Sequence, residues 1–309
     1  ILITGAAGFV GSKVAEKFIN LGYKTITIDN LTTGVKNNIP QETTFIEGSC
    51  GNQQVIDRLG QYPIEGIIHI SGQSSGEVSF ENPAYDLESN TLSTLLLLDF
   101  ARKKHIKRFV FASTMSVYGN PDSLPVTEKT KPLPQSFYAC GKLASEDYLR
   151  IFSHYGVETL ALRLFNVYGP GQNLDNMKQG MLSIYLAQAL KSDKIIVKGS
   201  AERFRDFVYI DDIVEAFRLA YFTKYTSFQK YNISNEHPVR VKEMIEKIFQ
   251  GLDYKLPVKY TDNTPGDQFG LYGSSENFKK EFGWKPKTGF DEGLKKMIEW
   301  ALEQKSKYD

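Results

Sequence analysis

The first eleven residues, I-L-I-T-G-A-A-G-F-V-G, constrain the fold more strongly than any other part of the chain. A short β-branched run ends at Thr4, the glycines Gly5, Gly8 and Gly11 follow at a spacing of three, and an amphipathic segment begins at Phe9. This order predicts a strand, a tight turn and a helix, in which the glycines permit the turn, the close approach of a pyrophosphate and the packing of helix on strand. Because the free N–H groups and the dipole of a helix N-terminus favour an anion, we expect a dinucleotide to bind here.

The next strand-like run, residues 25–28, is followed directly by a carboxylate, Asp29. An acidic side chain at this point can bind both ribose hydroxyls of an adenosine and would repel a 2′-phosphate. The sequence therefore favours NAD over NADP as the cofactor. The alternative is a β–α turn that binds no ligand.

Segments typical of strands and of helices alternate through the first half of the chain. The predicted strands are residues 1–4, 25–28, 43–47, 66–70, 108–112 and 159–164, and the predicted helices are 9–21, 53–59, 89–104 and 138–155. Such alternation predicts an α/β fold with a doubly wound parallel (Rossmann) sheet and helices on both faces. From Tyr168 onward, turn residues and shorter elements predict a smaller C-terminal α/β substrate-binding lobe. We expect residues 1–168 to form the NAD-binding domain, with 206–233 returning to it, and residues 169–205 and 234–309 to form the lobe.

The composition argues against several classes of function. A net charge of +1 gives no reason to expect nucleic acid or an anionic membrane as a partner, and no apolar run reaches membrane-spanning length. The four histidines lack metal-ligand spacing, and Cys50 and Cys140 are far apart, as is typical of reduced thiols in a cytoplasmic protein. We therefore expect a cytoplasmic protein without a metal. The four leucines at 95–98 wrap around a predicted helix, which indicates either core packing or a homodimer contact.

Tyr138 and Lys142 are spaced by four residues, which places both side chains on one face of a predicted helix. A free phenol has a pKa near 10, so about 0.1% of it is ionised at neutral pH. A lysine cation nearby and the positive charge of an oxidised nicotinamide stabilise the phenolate, which could then act as general base toward a sugar hydroxyl. The pair alone is weak evidence, because Y-x-x-x-K is common and mostly lies on protein surfaces.

Three further segments place polar side chains where the strands of α/β sheets end and ligands bind. Ser113 and Thr114 directly follow an apolar strand, and the Thr114 hydroxyl could hydrogen-bond both the substrate and Tyr138. Asn166 follows the last predicted strand and could donate to a pyrophosphate or a sugar. Arg205 offers a guanidinium fork suited to phosphate. Each segment alone also fits a structural role, whereas their order along one chain favours a shared site.

Together these residues resemble an extended short-chain dehydrogenase/reductase of the nucleotide-sugar epimerase/dehydratase family. The resemblance spans essentially the whole chain and rests on T-G-A-A-G-F-V-G, D-N at 29–30, H-I-S-G-Q-S-S, S-T-M-S-V-Y-G, Y-A-C-G-K, R-L-F-N-V-Y-G-P-G-Q, R-D-F-V-Y-I-D-D and P-G-D. It implies NAD in the large domain, a nucleoside-diphosphate sugar in the cleft and a homodimer. It also implies catalytic roles for Thr114, Tyr138 and Lys142.

The resemblance assigns binding residues by motif position. The implied cofactor-binding residues are Gly5, Gly8, Phe9, Val10, Gly11, Asp29, Asn30, Ser49, Cys50, Ile70, Ser71, Gly72, Ser113, Tyr138, Lys142 and Phe165. The implied substrate-binding residues are Ser74, Thr114, Met115, Ser116, Tyr138, Asn166, Gln179, Arg205, Asp267 and Leu271.

Within the family, the chain looks most like a UDP-glucose 4-epimerase. The 4,6-dehydratases carry Asp-Glu after the threonine, whereas this chain has Met115 and Ser116, which cannot supply acid–base chemistry. Decarboxylases and uronate epimerases carry additional arginines; no clear set is present, although Arg203 beside Arg205 keeps the question open.

The implied reaction inverts C4 of a nucleoside-diphosphate hexose of the UDP-glucose/UDP-galactose type. It passes through a transient 4-keto sugar, and NAD is regenerated within each turnover. The alternatives are a 2-epimerase, a decarboxylase or a reductase acting on such a sugar, or a non-catalytic NAD-binding regulatory protein.

Leu271 lies four residues after Asp267, at a position where the family selects hexose size. A bulky aromatic there excludes N-acetyl sugars and a small residue admits them. Leucine therefore predicts a preference for the non-acetylated hexose with some turnover of N-acetyl sugars.

Other positions depart from the family pattern. Ser49 and Cys50 stand where an acid often contacts adenine, so that contact is lost or shifted. Gly141 replaces a serine, and Thr264 replaces an arginine that binds phosphate. The nucleotide is therefore left open among UDP, which is favoured, and dTDP, CDP and GDP.

Overall fold

The computed structural model describes residues 1–262 and 268–306 of the chain. Its strands are β1 Leu2–Thr4, β2 Ile26–Asp29, β3 Thr44–Glu47, β4 Gly66–His69, β5 Arg108–Thr114, β6 Glu158–Leu164, β7 Asn166–Tyr168, β8 Ile195–Lys198, β9 Phe204–Tyr209, β10 Gln229–Ile233, β11 Pro238–Arg240, β12 Val258–Thr261 and β13 Gly270–Leu271. Its helices are α1 Phe9–Asn20, α2 Gln53–Arg58, α3 Gly76–Glu81, α4 Pro83–Asp86, α5 Ser93–Lys103, α6 Phe137–Ser153, α7 Met181–Lys191, α8 Ile210–Phe222, α9 Val241–Leu252, α10 Glu276–Phe282 and α11 Phe290–Ser306.

In this part of the chain, seven strands form one parallel sheet in the order β10-β6-β5-β4-β1-β2-β3. The strand order reverses between β1 and β4, which creates the crevice at the carboxyl ends where such sheets bind ligands. The predicted doubly wound α/β fold is confirmed.

The core lies on both faces of this sheet because alternate residues of a strand point to opposite sides. Ile3 and Ile68 belong to the hydrophobic cluster that includes α1 and α8. Leu2 and Ile67, their neighbours along β1 and β4, belong to the cluster that includes α5. Both faces are therefore covered, as in other parallel sheets.

The predicted helix at 89–104 is not α-helical throughout. A π-helical segment, Leu87–Leu92, leads into α5. There the Ser93 hydroxyl donates to the carbonyl of Ser89 (2.7 Å) and the Thr94 hydroxyl to that of Asn90 (2.7 Å), and such bonds compete with the regular helical ladder.

The leucine run lies on α5. Leu97 and Leu98 are buried in the core, whereas Leu95 and Leu96 are only half-buried.

The predicted returning segment, 206–233, contributes to both sheets. Helix α8 packs on α1 and β5, and β10 extends the large sheet beside β6. Strand β9 instead pairs with β7, β11 and β13 in a smaller sheet. The division of the chain into an NAD-binding domain and a lobe stays a prediction.

Across residues 1–262 and 268–306, the structure contains no helix with the length and apolar character needed to span a membrane.

Candidate active site

The glycine-rich turn joins β1 to α1 and has a conformation that requires glycine. Gly5 has a φ of 74°, in the left-handed region, and its N–H donates to the carbonyl of Ile28 at 2.7 Å. A Cβ on Gly11 would collide with the carbonyl oxygen of Gly5. The turn therefore brings the N-terminus of α1 against the strand ends and leaves a concave main-chain surface, which fits a pyrophosphate.

Asp29 ends β2 beside this turn and is buried. Its Oδ2 accepts from the Ala7 N–H at 2.9 Å and its Oδ1 from the Leu31 N–H at 2.8 Å. Each carboxylate oxygen has a second lone pair, so the oriented carboxylate can still accept from two ribose hydroxyls.

Ser49 and Cys50, which the sequence predicts on the adenine side, line the same crevice. The Ser49 hydroxyl accepts from the Gly51 N–H at 3.1 Å. Burial raises the pKa of the Cys50 thiol to about 12, so that side chain is neutral. These two side chains present a neutral surface to the crevice.

A cleft of about 510 Å³ opens at the carboxyl ends of the large sheet. It brings together all the predicted cofactor-binding residues: Gly5, Gly8, Phe9, Val10, Gly11, Asp29, Asn30, Ser49, Cys50, Ile70, Ser71, Gly72, Ser113, Tyr138, Lys142 and Phe165. Of the predicted substrate-binding residues, Ser74, Thr114, Tyr138, Asn166 and Gln179 line it.

The predicted catalytic residues meet within this cleft. Thr114 is the last residue of β5, whereas Tyr138 and Lys142 lie one turn apart on α6, whose first turn is capped by the Ser136 hydroxyl. The Lys142 Nζ donates to the carbonyl of Ala112 at 3.1 Å and lies 5.9 Å from the centroid of the Tyr138 ring.

Burial dominates the electrostatics of the pair. It raises the pKa of the Tyr138 phenol to about 12, while a hydrogen bond with Thr114 acts in the opposite direction. Burial also lowers the pKa of Lys142 to about 8, and the negative charge of Asp86 opposes that shift. Lys142 is therefore mostly a cation at neutral pH, and Tyr138 is a neutral phenol until more positive charge approaches it.

Asn166 connects the cleft to the smaller sheet. Its Nδ2 donates to the carbonyl of Asp206 at 2.9 Å and lies 3.6 Å from the Met115 Sδ. Met115 itself is buried, and the Ser116 hydroxyl accepts from that of Thr114 at 3.2 Å. Neither Met115 nor Ser116 lines the cleft, so their predicted contact with substrate has no support in this geometry.

Two further predicted substrate contacts are placed differently by the structure. The Leu271 side chain is fully buried in the core, because β13 pairs with β9, and it does not line the cleft. The Arg205 guanidinium donates to main-chain carbonyls of Phe204, Gln268 and Phe269, at 2.7–3.2 Å, and also lies outside the cleft lining. Leu271 therefore makes no contact with the cleft through which it could select the size of the hexose.

Asp267, a predicted substrate-binding residue, and Thr264, which replaces a phosphate-binding arginine of the family, lie outside the described residues.

Several lining residues escaped the sequence analysis, among them Gln73, Ser75, Val78, Tyr85, Gln172, Asn173 and Lys178. Gln172 is the clearest case, because its buried Oε1 accepts no hydrogen bond from the described residues and its amide lies against Gly180. Its place in the G-P-G-Q motif was the available signal. The other residues lie in loops, where the sequence pattern indicates no common face.

Comparisons with known proteins place the chain in a family. Residues 1–234 match the model of the NAD dependent epimerase/dehydratase family. The chain belongs to this family, and it is therefore an NAD-dependent enzyme with the extended short-chain dehydrogenase/reductase fold.

Individual relatives match over nearly the whole chain. A protein of Methanocaldococcus jannaschii is 33% identical over 302 residues, which cover 97% of each chain. The UDP-glucose 4-epimerase of Thermotoga maritima, solved with UDP-glucose, is 31% identical over 98% of each chain, with a TM-score of 0.94. The UDP-glucose 4-epimerase of Thermus thermophilus, solved in complex with NAD, is 30% identical over 97% of each chain, with a TM-score of 0.90.

Proposed function

We propose that this enzyme inverts C4 of a nucleoside-diphosphate hexose of the UDP-glucose/UDP-galactose type. The observation that carries the proposal is the convergence of Thr114, Tyr138 and Lys142 in the cleft that also contains the glycine-rich turn. The similarity to the T. maritima enzyme supports UDP-glucose as the substrate. The chain also lacks an acid at 115 and 116, which argues against dehydration.

In the proposed mechanism, Tyr138 removes the proton of the C4 hydroxyl and later returns it. Because the pKa of the buried phenol is raised to about 12, the phenolate needs a nearby cation, and Lys142 supplies it. Thr114 hydrogen-bonds the phenol and orients the sugar hydroxyl. The glycine-rich turn and Asp29 would hold NAD, which would supply the hydride acceptor and donor for passage through a transient 4-keto sugar. Asn166 and Gln179 line the same cleft, and we assign them to the binding of the sugar nucleotide.

A panel of UDP-, dTDP-, CDP- and GDP-hexoses tests the proposal, with products resolved by NMR. We expect interconversion of UDP-glucose and UDP-galactose, with the highest kcat/KM for the uridine nucleotide. Elimination, decarboxylation, net reduction or inversion at C2 would contradict it. The same panel tests the preference for the non-acetylated hexose, which equal kcat/KM for UDP-glucose and UDP-N-acetylglucosamine would refute.

A homodimer is part of the proposal. Helices α5 and α6 pack together, and exposed apolar side chains lie on them and next to them, including Leu87 (60% exposed), Leu92 and Ile151. A second copy of the chain would bury this surface. Light scattering after size-exclusion chromatography measures the mass, and a monomer at micromolar concentration would contradict the homodimer.

A further inference from the structure

A carboxylate outside the proposed catalytic set, Asp86, is buried next to the catalytic helix. It ends α4 and is 1% exposed. Its Oδ1 accepts from the Gln73 Nε2 at 2.7 Å and from the Asn90 Nδ2 at 3.1 Å. Its Oδ2 faces α6, because a Cβ built on Gly141 would lie 3.7 Å from it. Gly141 directly precedes Lys142, so the carboxylate lies beside the lysine's turn of α6.

Asp86 supplies the negative charge that acts on Lys142 in this buried region. Its carboxylate raises the pKa of the lysine, against the effect of burial. His69 faces Lys142 from β4, and burial and the lysine charge lower the pKa of its imidazole, so it is neutral. Glu146, one turn further along α6, is already paired with Arg163 through bonds of 2.6 and 2.9 Å.

Three other faces of the lysine complete its surroundings. Tyr138 lies one turn earlier on α6, and the Phe111 ring of β5 lies 4.7 Å from the Nζ. Gly72, in the loop after β4, approaches the Nζ and carries no charge. Among the described residues that pack around Lys142, Asp86 is therefore the one that supplies a counter-charge to its ammonium group.

We propose that Asp86 is a positioning residue of this site: it holds Lys142 as a cation, and through Gln73 it fixes the loop at 71–75. A buried ammonium without a counter-charge tends to lose its proton, and a neutral lysine could not stabilise a phenolate. Burial raises the pKa of the Asp86 carboxyl, whereas the bonds from Gln73 and Asn90 and the charge of Lys142 oppose that shift and favour the ionised form. The inference rests on the proposed function only for the role of the phenolate.

Gln73 is the connection to the sugar side of the cleft. Its Nε2 donates both to Asp86 and to the carbonyl of Ser75 (2.7 Å), and its Oε1 accepts from the Ser75 N–H. Ser74 and Ser75 line the cleft. The same carboxylate that faces the lysine therefore anchors the loop beside the proposed sugar site.

The charge of Asp86 acts on both catalytic groups in the same direction. It raises the pKa of Lys142 and that of Tyr138. Asp86→Asn removes the charge and retains an oxygen that accepts from Gln73 and Asn90, so both pKa values fall. We expect both limbs of the kcat–pH profile to move to lower pH by about one unit. A shift of this size corresponds to an interaction of about 1.4 kcal/mol with the Asp86 charge.

The experiment measures kcat and KM from pH 6 to pH 10 for the wild-type enzyme, Asp86→Asn, Asp86→Glu and Glu88→Gln. Glu88 is exposed two residues away, so its substitution is a matched loss of charge and is expected to leave the profile in place. Asp86→Glu retains the charge and is expected to retain the pH position of both limbs even where kcat falls. A purely structural role would lower kcat of Asp86→Asn without moving the profile, and that result would overturn the proposal.

A second readout needs no nucleotide sugar. We expect the affinity of the apo-protein for NAD, measured by calorimetry across the same pH range, to change with the protonation of Lys142, which lines the cleft. We expect the pH midpoint of the change in NAD affinity to move to lower pH in Asp86→Asn. In Glu88→Gln we expect it to remain at the wild-type value. If no sugar is epimerised and this midpoint still moves, the proposed function fails and the role of Asp86 stands. Circular dichroism shows whether Asp86→Asn folds. If it does not fold, Asp86→Glu, which retains the charge, becomes the test, and a pH midpoint of NAD affinity displaced from the wild-type value in that variant would overturn the inference.

Discussion

At the residue scale, the Tyr138 phenol is the group on which the proposed chemistry depends most directly. Tyr138→Phe removes the hydroxyl and leaves the ring in the cleft. We expect the kcat for UDP-glucose epimerisation to fall by about 10³-fold or more, which is within the usual range for loss of a general base. NAD is expected to remain bound because the glycine-rich turn and Asp29 are untouched.

Product formation by NMR and NAD content after denaturation check this expectation. Tyr148→Phe is the matched control, since Tyr148 lies on the same helix, packs against the cluster that includes α5 and does not line the cleft. Activity that survives in Tyr138→Phe would mean that another group is the base.

Lys142 carries a cost in stability that can be measured separately from activity. Burial lowers the pKa of its ammonium from 10.5 to about 8. The cost is therefore fully present below pH 8 and disappears as pH rises toward 10.5, where the unfolded chain also loses this proton. Lys142→Met removes the cost and also the bond to the Ala112 carbonyl, which contributes about 1 kcal/mol. It also removes the counter-charge of Asp86, whose pKa is already raised by burial, so that this carboxyl can become neutral by taking up a proton.

We expect Lys142→Met to raise the Tm of the apo-protein by a few degrees at pH 7 and by less at pH 10, while activity is lost. Scanning calorimetry at the two pH values checks the prediction. A Tm that falls equally at both pH values would show that the buried charge of Lys142 does not destabilise the folded protein.

The residues that could be predicted from sequence are those whose role is set by local order along the chain. Asp29 follows a strand, and Tyr138 and Lys142 share one helical face, so short spacings were enough to indicate them. The burial of Leu271 could not be predicted from sequence, because the depth of β13 depends on its pairing with β9. Asp86 gave no signal, since Gln73, Asn90 and Lys142 approach it only in the folded chain.

At the scale of elements, the position of α6 is fixed by a buried ion pair. Arg163 of β6 makes two parallel bonds with Glu146, and the Ser113 hydroxyl of β5 donates to the same carboxylate at 2.5 Å. Glu146 follows Lys142 by one turn and Tyr138 by two, so the pair holds the face of α6 that carries the catalytic groups.

We expect Glu146→Gln to destabilise the protein by about 3–5 kcal/mol, because it leaves the Arg163 charge buried without a partner. The kcat is expected to fall as well, since the face of α6 is no longer held. Urea unfolding measures the first effect. Asp147→Asn breaks an exposed pair with Arg150 on the same helix and is expected to cost less than about 1 kcal/mol, so equal losses would contradict the argument.

The strands of the first half and helices α1, α2 and α6 were predicted within one or two residues, because strand and helix periods alternate there with short connections. Helices α3 and α4 were not predicted, and α5 begins four residues later than expected. The π-helical segment Leu87–Leu92 could not be predicted, since hydroxyl bonds to the main chain decide it. The same holds for β9, which leaves the large sheet although its sequence pattern matches that of a buried strand.

At the scale of the whole molecule, the doubly wound sheet follows largely from local patterns, because the crossovers β1–β2, β2–β3, β4–β5 and β5–β6 each join neighbouring parallel strands. The placement of the cleft also follows, since the order reverses between β1 and β4. What the sequence pattern does not predict is how the sides of the cleft are joined. Two exposed ion pairs do so: Glu77 with Lys198 at 3.1 Å, and Glu81 with Lys178 at 2.7 Å.

These pairs connect α3, beside the loop at 71–75, with the segment that leads to α7 and with β8. Exposed pairs contribute little to stability, about 0–1 kcal/mol each, so their effect on the cleft can be isolated. In Lys178→Met/Lys198→Met we expect the KM for UDP-glucose to rise a few-fold while the Tm changes by about a degree or less. The wild-type KM is expected to approach that of the variant as salt rises from about 0.05 to 1 M, because salt screens exposed charges.

Steady-state kinetics at both salt concentrations measure the effect. Lys280→Met/Lys296→Met removes the same number of charges from pairs that lie within single helices, and it is expected to leave the KM and its salt dependence at wild-type values. If the control raises the KM as much as the cleft variant, net charge and not the bridging of the cleft determines substrate affinity. A cleft variant that keeps both the wild-type KM and its salt dependence would mean that the two sides of the cleft are held by their apolar contacts alone.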